Sequence, residues 1–185
     1  MSGSVRDGSL NTAALCTVRE ILGRRHGSFA TPGLDLTALP YYDQNADRGP
    51  GPDAVCTARG VVSAADALII STPSYNGAMS GVLKNALDWL SRPWGASALT
   101  GKPVAVLTAS TGRTGGADAQ PELLRVLERA GAFPVAHPKV AITAGEEMIS
   151  AAGTFLRPSV VAALDGLVDA TLTTLSRQPA LSQAG

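Results

Sequence analysis

The sequence predicts an α/β fold built on a doubly wound parallel sheet with helices on both faces. Three observations lead there. Near-continuous apolar runs, Ala67-Leu68-Ile69-Ile70 and Val104-Ala105-Val106-Leu107-Thr108-Ala109, read as strands buried on both faces, as parallel strands are. Apolar residues at helical spacing lie before, between and after them. Gly/Ser-rich loops follow the strand positions, where open α/β sheets bind their ligands. Strand and helix alternate along the 185 residues without an internal repeat, which fits one domain spanning 1–185.

Residues 1–11 form a Gly/Ser loop running into a helix marked by Leu10, Ala14, Val18, Ile21 and Leu22. Gly3 and Gly8 free the backbone to turn N–H groups inward; Ser4, Ser9 and Asn11 add short polar side chains and Arg6 a cation. At a helix N-terminus this composition suits a phosphate group, although Ser and Asn serve equally as plain caps. Thr31 to Leu36 offers an edge strand, and Gln44 to Asp53, with Gly49-Pro50-Gly51-Pro52, a surface loop. Helical spacing resumes at Val55, Ala58, Val62 and Ala65 and leads into the strand at Leu68.

The stretch from Ser71 to Trp94 then reads as strand end, loop and helix. Its loop is Pro73-Ser74-Tyr75-Asn76-Gly77, and its helix carries Met79, Val82, Leu83, Ala86, Leu87 and Leu90 inward. Lys84 and Asp88, four apart, suit a pair on the polar face. After the turn Thr100-Gly101-Lys102-Pro103 and the second strand comes another Gly-rich loop, Ser110 to Ala117, readable as a plain turn or as a ligand loop. A helix from Pro121 to Ala130 closes at Gly131. Phe133 to Ala136 and Val140 to Ile142 supply the last strand and its extension. Arg157-Pro158 opens a final helix with Val160, Val161, Leu164, Leu167, Val168, Thr171 and Leu175 on one side, and the tail after Arg177 is expected to fray.

Composition narrows the function classes. Net charge is zero and no basic run occurs, which argues against nucleic acid and anionic membranes as partners. No apolar segment reaches the roughly 18 residues of a bilayer span, and a cytoplasmic location is expected. Cys16 and Cys56 show neither metal-ligand nor redox spacing. His26 and His137 are isolated, and Glu146-Glu147 reads as a solvated helix start. No metal site and no catalytic acid or base stands out.

Leu83-Lys84-Asn85-Ala86-Leu87-Asp88-Trp89-Leu90-Ser91-Arg92-Pro93, preceded by Pro73-Ser74-Tyr75-Asn76, resembles the signature of the NAD(P)H-dependent FMN reductases, a flavodoxin-like family. Gly3-Ser4-Val5-Arg6-Asp7-Gly8-Ser9-Leu10-Asn11 is similar to that family's GSxRxxSxN, and Ser110-Thr111-Gly112-Arg113-Thr114-Gly115-Gly116 to its SxGRxGG. The resemblance covers about residues 2–142 and implies a five-stranded sheet of order 2-1-3-4-5 with FMN at the strand ends. It assigns the phosphate to Ser4, Arg6, Ser9 and Asn11. The ring edge goes to Pro73, Ser74, Tyr75, Asn76 and Gly77, and the ring flank to Ser110, Gly112, Arg113 and Gly115. The implied activity passes hydride from NADPH or NADH through FMN to free flavin, a quinone or a similar small acceptor, with no catalytic side chain because the flavin carries the chemistry.

Departures from the pattern set further expectations. Ser74 stands where the family has Glu, and Ala78-Met79-Ser80-Gly81 lacks the proline usual before the glycine. The family's apolar first strand is absent, so either the start lies upstream of Met1, which is preferred, or another segment replaces it. Tyr75, Trp89, Arg92 and Trp94 are expected at a second-subunit contact, in a homodimer or homotetramer. A flavin carrier serving a partner monooxygenase, and a member that has lost FMN, stay open as alternatives.

Overall fold

The computed structural model describes residues 1–27 and 29–177; the expected fraying after Arg177 and the side chains of His26 and Glu146 lie outside the described residues. Among the described residues, five α-helices and four strands stand in the order α1 (Leu10–His26), α2 (Asp53–Ala64), β1 (Leu68–Thr72), α3 (Gly81–Leu90), β2 (Pro103–Ser110), α4 (Gln120–Arg129), β3 (Phe133–Pro134), β4 (Ala141–Thr143) and α5 (Pro158–Arg177). The sheet is parallel throughout, with Leu68 opposite Val104 and Thr72 opposite Thr108. The other edge of β2 carries the last strand in two pieces, Phe133 opposite Pro103 and Ala141 opposite Thr108. Val135 and Val140 keep this ladder between the pieces, with bonds to Val104 O at 2.9 Å and from Thr108 N–H at 3.1 Å.

Side-chain alternation in β1 and β2 divides the core. Leu68, Ile70, Val104 and Val106 pack with α2, α3 and α4 on one face. Ala105, Leu107 and Ala109 pack with α1 and α5 on the other. Both faces are apolar because strands with period-two side chains are covered twice. By length and composition α5 passes for a membrane span. Its Val160, Leu164, Leu167 and Val168 nevertheless pack into this core, and Asp165 and Asp169 both meet Arg25 at 2.8 Å.

The beginning of the chain takes the place beside β1. Ser2 bridges Ser71 in parallel; Gly3 N–H donates to Ser71 O at 2.7 Å, and Ser71 N–H to Met1 O at 3.0 Å. The Met1 amine donates to Ile69 O at 2.6 Å. Burial, with a smaller contribution from the charge of Arg19, lowers its pKa to about 5; the residue keeps some exposed surface while the amine itself is enclosed. Only the end of a first strand is therefore in place.

The edge strand expected at Thr31 to Leu36 does not form. Its partner in the sheet order would be the first strand, of which only Met1 to Gly3 is present, so its backbone has no ladder to join. Leu36–Ala38 instead makes one 3-10 turn, capped by Asp35 Oδ1, which accepts from Thr37 N–H at 2.9 Å and the Thr37 hydroxyl at 2.6 Å. Leu34, Leu36 and Leu39 still pack into the α2–α4 side of the core. The described sheet thus holds β1, β2 and the two-piece last strand, with Met1 to Gly3 bridged to the outer edge of β1.

Candidate functional site

All the parallel strands, and the bridge at Ser2, point their carboxyl ends one way, so three loops emerge at one sheet edge. The first is Ser4 to Ser9. Ser9 is its last residue and the N-cap of α1, its Oγ accepting from Asn11 N–H at 3.2 Å and Thr12 N–H at 3.3 Å. Gly8 has φ +64°, in the left-handed region where glycine is strain-free. Ser4 is half-buried and Arg6 exposed.

Asn11 is 3% exposed, and its amide is spent inside the fold. Its oxygen accepts from the Ser71 hydroxyl at 2.8 Å and Ala109 N–H at 3.2 Å, and its nitrogen donates to Ala109 O at 3.0 Å. The side chain thus ties the start of α1 to the ends of β1 and β2, underneath the loops.

The second loop turns on Asn76 and Gly77, with φ of 54° and 81°. Tyr75 and Ala78 exchange N–H···O bonds of 2.9 and 3.1 Å around them. Positive φ at both central residues of such a turn is what an Asn-Gly pair supplies at least cost. Glu122 of α4 holds the far side, accepting from Met79 N–H at 2.9 Å. Pro73 is buried, Ser74 half-buried, and Tyr75, Asn76 and Gly77 face outward.

In the third loop Ser110 Oγ accepts from Gly112 N–H at 3.0 Å, and Thr143 of β4 donates to the carbonyls of Gly112 and Arg113, each at 3.3 Å. Gly115 has φ +59°, and a Cβ there would lie 2.8 Å from the backbone of Ala141 and Ile142, so no side chain fits. Arg113 is exposed.

The loops touch one another. A Cβ on Gly116 would lie 3.3 Å from Ser74 N, and the Ser80 hydroxyl donates to Gly3 O at 2.5 Å. Among the described residues, no protein acceptor meets the main-chain N–H groups of Val5, Asp7 and Gly8, of Asn76 and Gly77, or of Thr111, Arg113 and Thr114. Ser4 and Ser9 bring hydroxyls beside the first set. Uncommitted donors and two arginines around one strand-end rim fit a flavin mononucleotide, whose phosphate and ring carbonyls are acceptors. Among the described residues no group of acidic, histidine or cysteine side chains could hold a metal.

The expectation that both tryptophans face a second subunit is corrected for Trp89. It is 0% exposed, its Nε1–H donates to Pro40 O at 2.8 Å, and Tyr42 packs edge-on at 4.9 Å. A helix as amphipathic as α3 buries this position against its own core. Trp94 and Tyr75 stay exposed at opposite ends of α3, with Arg92 over the Trp94 ring at 5.9 Å. Sequence reasoning missed Thr72, Ser80, Glu122 and Thr143, which hold the loops from other elements. Only Ser80 carried a readable signal, that of an N-cap before a helix.

Fold and loops are those of a doubly wound α/β protein, a class that binds its ligands at the strand ends. A family model described as NADPH-dependent FMN reductase matches residues 1–147, and the chain belongs to that family. An NAD(P)H-dependent FMN reductase of Pseudomonas aeruginosa is 40% identical over 156 residues, 84% of this chain and 82% of its own. A 2-hydroxy-1,4-benzoquinone reductase of a Burkholderia species is 39% identical over 128 residues, 69% of each chain. Among solved structures, FerB, a flavoenzyme NAD(P)H:(acceptor) oxidoreductase from Paracoccus denitrificans, has a TM-score of 0.85 at 30% identity, over 95% of this chain and 94% of its own. The chain is accordingly an FMN-dependent NAD(P)H oxidoreductase.

Proposed function

We propose that the acceptors of this oxidoreductase are small and diffusible, quinones first and free flavin second, reached at the open rim of the three loops. The observation that carries this reading is the ring of uncommitted main-chain donors beside exposed Tyr75, Asn76 and Arg113. The name of the Burkholderia relative supports the quinone class.

In this reading Ser4, Arg6 and Ser9, with the N–H groups of Val5, Asp7 and Gly8, hold the phosphate, and Asn11 braces the strand ends below. Pro73 to Gly77 hold the ring edge, and Ser110, Gly112, Arg113 and Gly115 border its flank. When bound, FMN supplies the redox chemistry, taking hydride from NAD(P)H and delivering two electrons to the acceptor. The protein supplies position and a fixed set of donors that favour negative charge on the ring. The same reading gives a cytoplasmic homodimer or homotetramer that uses exposed Trp94 and Tyr75 in its contacts.

The test is anaerobic spectroscopy of the purified protein. Added FMN should bind, bleach on addition of NADPH or NADH, and regain its colour with 1,4-benzoquinone, with steady turnover at catalytic protein concentration. Reoxidation only by a second protein would instead mark an electron carrier. Failure to take up FMN would overturn the assignment of the loops.

A further inference from the structure

Two of the three loops are joined through Ser80. It is 2% exposed, precedes α3, and uses both functions of its hydroxyl: Oγ accepts from Leu83 N–H at 3.4 Å and donates to Gly3 O at 2.5 Å. Its own N–H donates to Thr72 Oγ1 at 3.2 Å, and that hydroxyl donates to Pro73 O at 3.0 Å. A proline at this position, lacking N–H and hydroxyl, would make none of these three N–H and hydroxyl bonds of Ser80. The run Gly3, Ser80, Thr72, Pro73 is therefore a continuous set of bonds from the mouth of the first loop to the mouth of the second.

Gly3 is where this connection acts. Its N–H is fixed on Ser71 O at 2.7 Å and its carbonyl on Ser80, so the peptide that opens the first loop has one orientation. A Cβ here would lie 2.9 Å from Thr72 Oγ1 and 3.0 Å from Ser80 Oγ, so the hydroxyl pair closes directly on the glycine. The N–H groups of Val5, Asp7 and Gly8 follow that peptide in the chain. No comparable bond runs from Ser80 to the third loop.

We propose that Ser80 is a positioning residue that sets the first loop against the ring-edge loop and so confers preference for the phosphorylated flavin over its unphosphorylated form. The proposal rests on the reading of Ser4 to Ser9 as the phosphate loop. The isoalloxazine ring is common to FMN and riboflavin, and only FMN places a dianion on the first loop. Releasing Gly3 costs affinity at the phosphate end and leaves the ring's partners on the second and third loops in place.

The experiment measures Kd for FMN and for riboflavin, by quenching of flavin fluorescence, in the unaltered chain, Ser80→Ala and Ser80→Thr. Ser80→Ala is expected to lower the FMN-over-riboflavin preference about five- to tenfold, the effect of losing one buried neutral bond. Ser80→Thr, with its hydroxyl on the same carbon, should retain the preference. Equal weakening for both flavins in Ser80→Ala would mark a purely structural role and overturn the proposal. An unaltered chain that binds both flavins alike would instead overturn the phosphate-loop reading, and the proposal with it. A second measurement needs no variant: FMN should slow amide exchange at Ser80 and Leu83 more than riboflavin does, because coupling is reciprocal. Equal slowing would again overturn it.

Discussion

Asn11 illustrates how one side chain holds two strand ends. Its three bonds to Ser71 and Ala109 are enclosed, so Asn11→Ala leaves the Ala109 N–H and carbonyl without partners. The expected cost is about 2–3 kcal/mol by urea unfolding. Asn11→Asp keeps the acceptor but turns the amide donor into a second oxygen facing Ala109 O, and should cost at least as much. Gly115 is constrained differently, by a left-handed φ and a Cβ contact of 2.8 Å with the backbone of β4. Gly115→Ala should cost about 1–3 kcal/mol in strain and displace the third loop. The check is the flavin visible spectrum, whose band shape should move toward that of free FMN.

At the scale of elements, α3 carries the signature segment, and its burial pattern explains that segment. Leu83, Ala86, Leu87, Trp89 and Leu90 are buried, while Lys84 and Asp88 pair at 2.7 Å on the outer face. That exposed pair contributes at most a few tenths of a kcal/mol. Trp89 is the larger contribution: Trp89→Ala should destabilise by about 3–5 kcal/mol, measured by thermal or denaturant unfolding. The helix C-terminus is held by Arg59, which donates to Trp89 O at 3.0 and 3.2 Å and pairs with Asp47 at 2.6 Å. Iodide quenching should divide the tryptophan emission into a shielded part from Trp89 and an accessible part from Trp94, which is 69% exposed. A fully shielded signal would indicate that Trp94 is covered in an assembly, and light scattering would give its mass.

Over the whole molecule, the ionisation of the Met1 amine links folding to pH. The Met1 amine has a pKa of about 5 in the fold against the ordinary 8.0 of a solvated chain terminus, so the unfolded chain binds more protons between these values. Stability therefore rises with pH from about 5 to 8 and falls as acid forces a charge onto the enclosed nitrogen. The melting temperature of the chain starting at Met1 should increase across this window. A form extended before Met1, with an amide at that position, should lose the dependence. Invariance in the first form would show the amine to be solvated.

The sequence by itself determined the class of fold, both central strands, all five helices and the three loops. Those depend on local patterns: apolar runs, helical spacing, an Asn-Gly pair for the turn at Asn76, and glycines where φ must be positive. It also led to the flavin through three motifs whose order survives in one dimension. Tertiary structure decided what depends on partners far along the chain. Thr31 to Leu36 has no ladder beside it, and its Pro32, Gly33 and Asp35 disfavour a strand. Trp89 resembles an interface residue until α3 is seen to turn it toward Pro40 and Tyr42. Asn11 reads as a ligand contact until Ser71 and Ala109, 60 and 98 residues away, occupy its amide. The bond from Ser80 to Gly3 spans 77 residues. Such bonds form only when parallel strands bring their carboxyl ends to one edge, and no local propensity encodes them.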